Sequence, residues 1–166
     1  SSTVGTSVND ATFTTTESVV VKKYLPRPDI LESEASIKGR TCIITDNGEE
    51  LSYITAQLLQ SLGWKVIVLQ WPSSLVNTTN ALPKGVETIK LAKATDEELG
   101  NTLNAITSEQ TINGFIHLSA RSADKGNKIK FSKREQSLLK MVFFSAKHLQ
   151  QSLVTNQGQG RNFFIS

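Results

Sequence analysis

The chain has a single cysteine, Cys42, in 166 residues, which forbids an internal disulfide and any cysteine-rich zinc site. Cys42 lies in an apolar run, so a buried, inert thiol in a reducing compartment is expected. Histidine is scarce as well, with only two in the chain. Charge of one sign is lacking: 18 Lys and Arg against 15 Asp and Glu leave +3, too little and too dispersed to argue for nucleic acid or a membrane as partner. No apolar run approaches the ~20 residues of a membrane span, and the first residues lack a basic flank followed by a hydrophobic stretch. With hydrophobic residues at 38% and only 10 Gly and 4 Pro, collagen-like and fully disordered classes are excluded. The expectation is one soluble, cytoplasmic domain able to bury a core.

Residues 1–16 are Ser or Thr at nine positions and show no helical or strand period, so they read as a linker. Residues 17–40 follow as an extended lead-in: ESVVVKKY is β-branched, and Pro26 and Pro28 prevent regular pairing. A Ser/Thr-rich start and an apolar finish at Phe163, Phe164 and Ile165 suggest a segment of a longer polypeptide.

From residue 41 to 166 the pattern alternates. TCIIT (41–45) and WKVIVL (64–69) read as strands buried on both faces, 86–91 as a weaker third, GFIHL (114–118) as a fourth and 162–166 as a fifth. Residues 49–62 carry Leu51, Ile54, Leu58 and Leu62 at helical spacing and end at Gly63. Thr95 caps a second helix with acids in its first turn, running to about Ile106. Ser132 opens a long third helix to about Thr155, with Glu135 placed for a capping box and a stripe at Leu138, Val142, Ala146, Leu149 and Leu153. Strands alternating with helices imply right-handed βαβ units and a parallel sheet covered on both faces. The α/β, Rossmann-like order 3-2-1-4-5 is expected.

In such a fold the first strand-to-helix turn is where a dinucleotide pyrophosphate would rest, on free backbone amides and the positive end of a helix. Here it reads Thr45-Asp46-Asn47-Gly48-Glu49-Glu50-Leu51-Ser52. A short-chain dehydrogenase turn, Thr-Gly-x-x-x-Gly-x-Gly, needs glycine where Asp46, Glu50 and Ser52 stand. Asp46, Glu49 and Glu50 would set carboxylates against the phosphates while satisfying the helix terminus themselves. Gln70, Trp71 and Pro72 end the second strand where an acid or base for the ribose belongs. His117-Leu118-Ser119-Ala120 stands where an Asn-Ala-Gly turn would lie.

The phrases CIITDNGEEL, GWKVIVL, GFIHLS and LKMVFFSAKHLQQSL resemble the amino-terminal structural half of the ketoreductase domain in polyketide synthases. The likeness covers residues 17–166 and leans toward multienzymes of the polyunsaturated fatty acid synthase or cyanobacterial glycolipid synthase type. It implies a truncated Rossmann-like half without cofactor, supporting a second half that holds NADPH and a Ser-Tyr-Lys-type site. It implies a parent chain that reduces β-ketoacyl groups on an acyl carrier protein, hence two partners: the catalytic half and the carrier protein. No Tyr-x-x-x-Lys occurs, since Tyr24 and Tyr53 are followed four positions on by Pro28 and Gln57. No catalytic, cofactor-binding or metal residue is therefore expected in this chain.

Beside its core stripe the long helix carries Leu139, Met141, Phe143 and Phe144, more apolar girth than one sheet face needs. Leu139, Phe143 and Phe144 become candidates for packing against the catalytic half, or for self-association in its absence; ordinary core packing is the competing account. His117, near a strand's carboxyl end, and His148 read as structural histidines. Lys125, Lys128, Lys130, Lys133 and Arg134 read as a solvated loop, with an acidic carrier protein as the alternative face. Trp64 and Trp71 read as core and edge packing. Two further readings stay open: a dinucleotide-binding short-chain dehydrogenase, and a receiver-like signalling domain with acids after its first strand. The latter lacks an aspartate in Lys90-Leu91-Ala92-Lys93-Ala94.

Overall fold

Thr41–Asp46 forms β1, buried along its whole length because both faces of a central parallel strand are covered. The computed structural model describes residues 39–77, 81–119, 132–155 and 162–166. The linker 1–16, nearly all of the lead-in 17–40, and Lys125, Lys128 and Lys130 lie outside the described residues.

After β1 come α1 (Glu50–Ser61), β2 (Lys65–Gln70), β3 (Glu87–Lys90), α2 (Asp96–Glu109), β4 (Ile112–Ile116), α3 (Lys133–Thr155) and β5 (Phe163–Ile165). The sheet order is β3-β2-β1-β4-β5, all pairs parallel, as the alternating pattern implies. A register shift between Thr41 and Cys42 separates the two ends of the β1–β4 ladder. β3 is shorter than expected and mostly exposed, as suits an edge strand.

Two apolar layers flank the sheet. One lies under α2 and α3 and gathers Ile43, Ile67, Leu69, Phe115, Leu99, Leu103, Met141 and Leu149. The other, under α1, is smaller: Cys42, Ile44, Val66, Val68, Ala56 and Leu59. Cys42 is fully enclosed, and burial pushes its thiol up to about 12, so it stays protonated and inert.

The helix starts follow local chemistry. Thr95 Oγ1 accepts the Glu98 amide at the head of α2. At α3 the capping box forms in both directions, Glu135 N to Ser132 Oγ at 3.2 Å and Ser132 N to Glu135 Oε2 at 2.6 Å. The inward face of α1 departs from expectation. Its stripe of Leu51, Ile54, Leu58 and Leu62 points outward, each 46–58% exposed, while Ser52, Ala56 and Leu59 face the sheet. Small side chains let this helix approach β1 and β2 closely, and Ser52 is needed by the turn before it.

Candidate functional site at the β1–α1 turn

Asp46 ends β1 at 2% exposure, and its carboxylate is fully engaged. Oδ1 accepts the Gly48 amide at 2.9 Å and Oδ2 accepts Gln70 Nε2 at 2.9 Å, so the end of β2 is tied to the end of β1. Asn47 and Ser52 form a second clamp. Asn47 Oδ1 accepts from Glu49 N at 3.0 Å and from Ser52 Oγ at 2.6 Å, while Ser52 Oγ accepts Asn47 N at 2.9 Å. Asn47 Nδ2 donates to Ser119 O at 3.4 Å, reaching the end of β4. The amides of Asn47, Gly48 and Glu49 thus donate to side chains of their own turn.

The expectation that the acids alone satisfy the helix terminus is corrected here. Asp46 does so, but Glu49 occupies the capping position without a side-chain capping bond, and Glu50 is exposed in the first turn. Asn47 and Ser52 supply the remaining acceptors.

The space over the turn is also filled. Gly48 has φ +75°, and a Cβ built there would stand 2.3 Å from the Asn77 carbonyl oxygen and 3.1 Å from Val76 Cγ1. That carbonyl belongs to a segment after β2 in which Trp71, Leu75 and Val76 are buried. The Leu75 and Val76 amides donate to Pro72 O at 2.8 and 3.0 Å, and Arg134 Nε donates to Leu75 O from the first turn of α3. Arg134 is therefore a tether and not part of a solvated loop. Trp71 is a core residue, 1% exposed, and its Nε1 has no hydrogen-bond partner among the described residues.

These residues do not fit a pyrophosphate. The amides that would hold it are occupied, the approach over Gly48 is closed, and Asp46 would oppose each phosphate charge at a cost of about 4 kcal/mol at 4 Å near a protein surface.

At the end of β4, Thr45 Oγ1 accepts the Leu118 amide at 2.9 Å and lies 2.9 Å from His117 Nδ1. The donor in the Thr45–His117 hydrogen bond is set by the ring tautomer, since the hydroxyl oxygen can accept a second bond beside that from Leu118. Trp71 meets the ring edge-on at 6.3 Å. Burial holds the His117 pKa below the ordinary 6.5. The unfolded chain then binds more protons below pH 6.5, so stability is fully present above that value and declines as the pH falls through the interval down to the folded pKa. His117→Gln is expected to flatten this part of a melting-temperature profile; an unchanged acid slope would show that His117 does not cause it.

His148 is likewise structural. Its Nε2 lies 2.6 Å from Asp96 Oδ1, linking α3 to the head of α2, with Lys147 Nζ 3.5 Å from Oδ2. The His148 hydrogen bond, with Lys147 nearby, lowers the Asp96 pKa. Among the described residues, no group of three or more His, Cys, Asp or Glu is placed to hold a metal.

The candidate packing residues on α3 divide. Leu139 and Phe143 are 52% and 68% exposed. Phe144 instead packs partly against the core beneath Lys140 and Lys147, whose ammonium groups stand 5.5 and 5.9 Å from its ring centre, and Met141 is buried. Ser52, Gln70, Trp71 and Pro72 stand at stations of the site that the sequence marks, but the bonds of Ser52 to Asn47 and of Gln70 to Asp46, and the closure over Gly48 by Val76 and Asn77, are not legible in it; a five-residue Asn-to-Ser spacing across a helix start is the one local signal for the first.

No protein-family model and no curated protein matches the chain. Solved structures do match. A 3-ketoacyl-(acyl-carrier-protein) reductase from Brucella melitensis, complexed with NADH, is 12% identical with a TM-score of 0.57 over 78% of this chain and 56% of its own. A short-chain dehydrogenase from Shigella flexneri is 13% identical, TM-score 0.55, over 74% and 53%. A short-chain type dehydrogenase/reductase from Mycobacterium ulcerans is 16% identical, TM-score 0.53, over 71% and 48%. The fold is thus part of the short-chain dehydrogenase/reductase fold, and the chain spans about half the length of the structures it matches. No helix among the described residues is long and apolar enough to cross a membrane.

Proposed function

We propose that this chain is the noncatalytic structural half of a modular, cytoplasmic polyketide- or fatty-acid-type ketoreductase. It supports a separate catalytic half that holds NADPH and reduces β-ketoacyl groups on an acyl carrier protein. The observation that carries the reading is the β1–α1 turn, whose amides are spent on Asp46, Asn47 and Ser52 and whose surface is closed by Asn77. The likeness in fold to a 3-ketoacyl-(acyl-carrier-protein) reductase supports it.

On this reading the chain works by packing. The parallel sheet is a rigid base, and the outward side of α3 at Leu139 and Phe143 offers apolar surface to the catalytic half. No proton, hydride or acyl transfer is assigned to its residues. Titration calorimetry of this chain with NADPH is expected to show no saturable heat up to about millimolar concentration, near the weak end of specific binding. A one-to-one micromolar isotherm would overturn the proposal in favour of a dinucleotide-binding dehydrogenase.

A further inference from the structure

Asn47 and Gly48 form one of two Asn-Gly pairs in the chain, the other being Asn113 and Gly114 in β4. Asparagine before glycine is open to deamidation, because no side chain on the following residue hinders attack of its backbone nitrogen on the asparagine carboxamide. The bonds around Asn47 go beyond that local tendency. We propose that Asn47 is a self-modification site, at which the β1–α1 turn itself promotes closure of a succinimide from Gly48 N onto Asn47 Cγ, with loss of ammonia.

Three parts of an acyl-transfer site surround this pair: a nucleophile, a base and donors for the oxyanion. The Gly48 amide donates to Asp46 Oδ1 at 2.9 Å, so a carboxylate stands in line with the proton that must leave, while the nitrogen's π electrons face out of the peptide plane. Asp46 Oδ2 accepts Gln70 Nε2 at 2.9 Å, which keeps the base aimed. Asn47 Oδ1 accepts from Glu49 N at 3.0 Å and from Ser52 Oγ at 2.6 Å, two donors where negative charge develops as the nitrogen adds. In the step a bond forms between Gly48 N and Asn47 Cγ, the Gly48 proton passes to Asp46 and on to Nδ2, and the Cγ–Nδ2 bond breaks to release ammonia. Water then opens the ring to aspartate or isoaspartate, reaching it past Gly48 and Glu49, which are partly exposed although Asn47 is buried. Either product loses the Nδ2 bond to Ser119 O and adds a carboxylate beside Asp46; isoaspartate also lengthens the main chain where Gly48 meets the Asn77 carbonyl. Asn113 is held differently. Its Oδ1 accepts the Thr41 amide, its Nδ2 donates to Asn162 Oδ1, and Gly114 is paired with Cys42 and Phe163 within the sheet.

Peptide mapping of the full folded chain, incubated near neutral pH, follows amide-to-acid conversion at both pairs, and labelling by an isoaspartyl methyltransferase identifies the ring-opened product. Asn47 is expected to convert at least about tenfold faster than Asn113, a small part of what proximity and a positioned base contribute. In urea Asn47 should slow and the two rates converge, since unfolding disperses the base and the donors. Asp46→Asn keeps an acceptor for the Gly48 amide without the base and should slow Asn47 conversion at least about tenfold. Equal rates at the two pairs in the folded chain overturn the proposal. A faster Asn47 in urea also overturns it and makes the turn a lock that protects the pair. So does an unchanged rate in folded Asp46→Asn, and the urea comparison on the unaltered chain decides alone where that variant does not fold.

Discussion

Gly48→Ala is expected to cost about 3 kcal/mol of stability, combining left-handed backbone strain with overpacking. Gly48 sits at φ +75°, where an alanine is strained, and its Cβ would meet the Asn77 carbonyl oxygen at 2.3 Å. The obstacle is backbone, in a segment held by the buried Leu75 and Val76 and by Arg134, so it cannot turn aside as a flexible side chain would. The melting temperature should fall by about 6–12 °C, at roughly 2–4 °C per kcal/mol for a chain of this size. Gly48→Asn separates the two causes, since asparagine tolerates the left-handed region but carries the same Cβ. If close approach dominates, Asn and Ala cost alike; recovery of most of the loss by Asn would assign it to the dihedral. A drop below about 1 kcal/mol for both, the size of a typical surface change, would show that the 71–77 segment does not press on the turn.

That contact also shows where sequence reading reached its limit. The buried strands at 41–46 and 65–70 were legible because strands covered on both faces are written as unbroken apolar runs. The caps at Thr95 and Ser132 were legible because a helix start is chemistry between residues three apart. The face of α1 was not. Periodicity alone made Leu51, Ile54, Leu58 and Leu62 the inward side, whereas the register is set by Ser52 answering Asn47 and by Ala56 permitting close approach. Periodicity measures where apolar residues lie on a helix, not which side meets the sheet. At the site, the missing glycines and the acids were visible in the chain, but Asp46 with Gln70 pairs residues 24 apart and Arg134 with Leu75 residues 59 apart. Neither pair leaves a local trace. Trp71 lies in the core, in one cluster with Leu91, Leu99 and Leu103, which the fold and not the local sequence brings together.

The largest loss should follow Phe115→Ala in β4, where the strand's pairing with β5 depends on aromatic contacts on both faces. On the α2–α3 side Phe115 is fully buried and stacks on Phe164, ring centres 4.6 Å apart and planes 12° from parallel. On the α1 side Phe163 lies over Gly114 so closely that a Cβ there would meet its Cζ at 2.4 Å. The same ring meets Trp64 edge-on at 5.5 Å, and the Arg40 guanidinium covers Trp64 at 5.1 Å. β5 has only three residues, too few for backbone pairing alone to hold it. Truncating Phe115 removes a buried ring and its stack, an expected cost of about 3–5 kcal/mol, a third or more of the stability of many domains. Phe115→Leu, which keeps most of the volume, should cost less than half as much. Because the two rings act together, Phe115→Ala with Phe164→Ala should cost clearly less than the sum of the single changes. Urea unfolding of the four proteins measures this. Strict additivity would mean that Phe164 holds β5 without the stack, and a cost for Phe115→Ala below about 1 kcal/mol would mean that this ring is not part of the core.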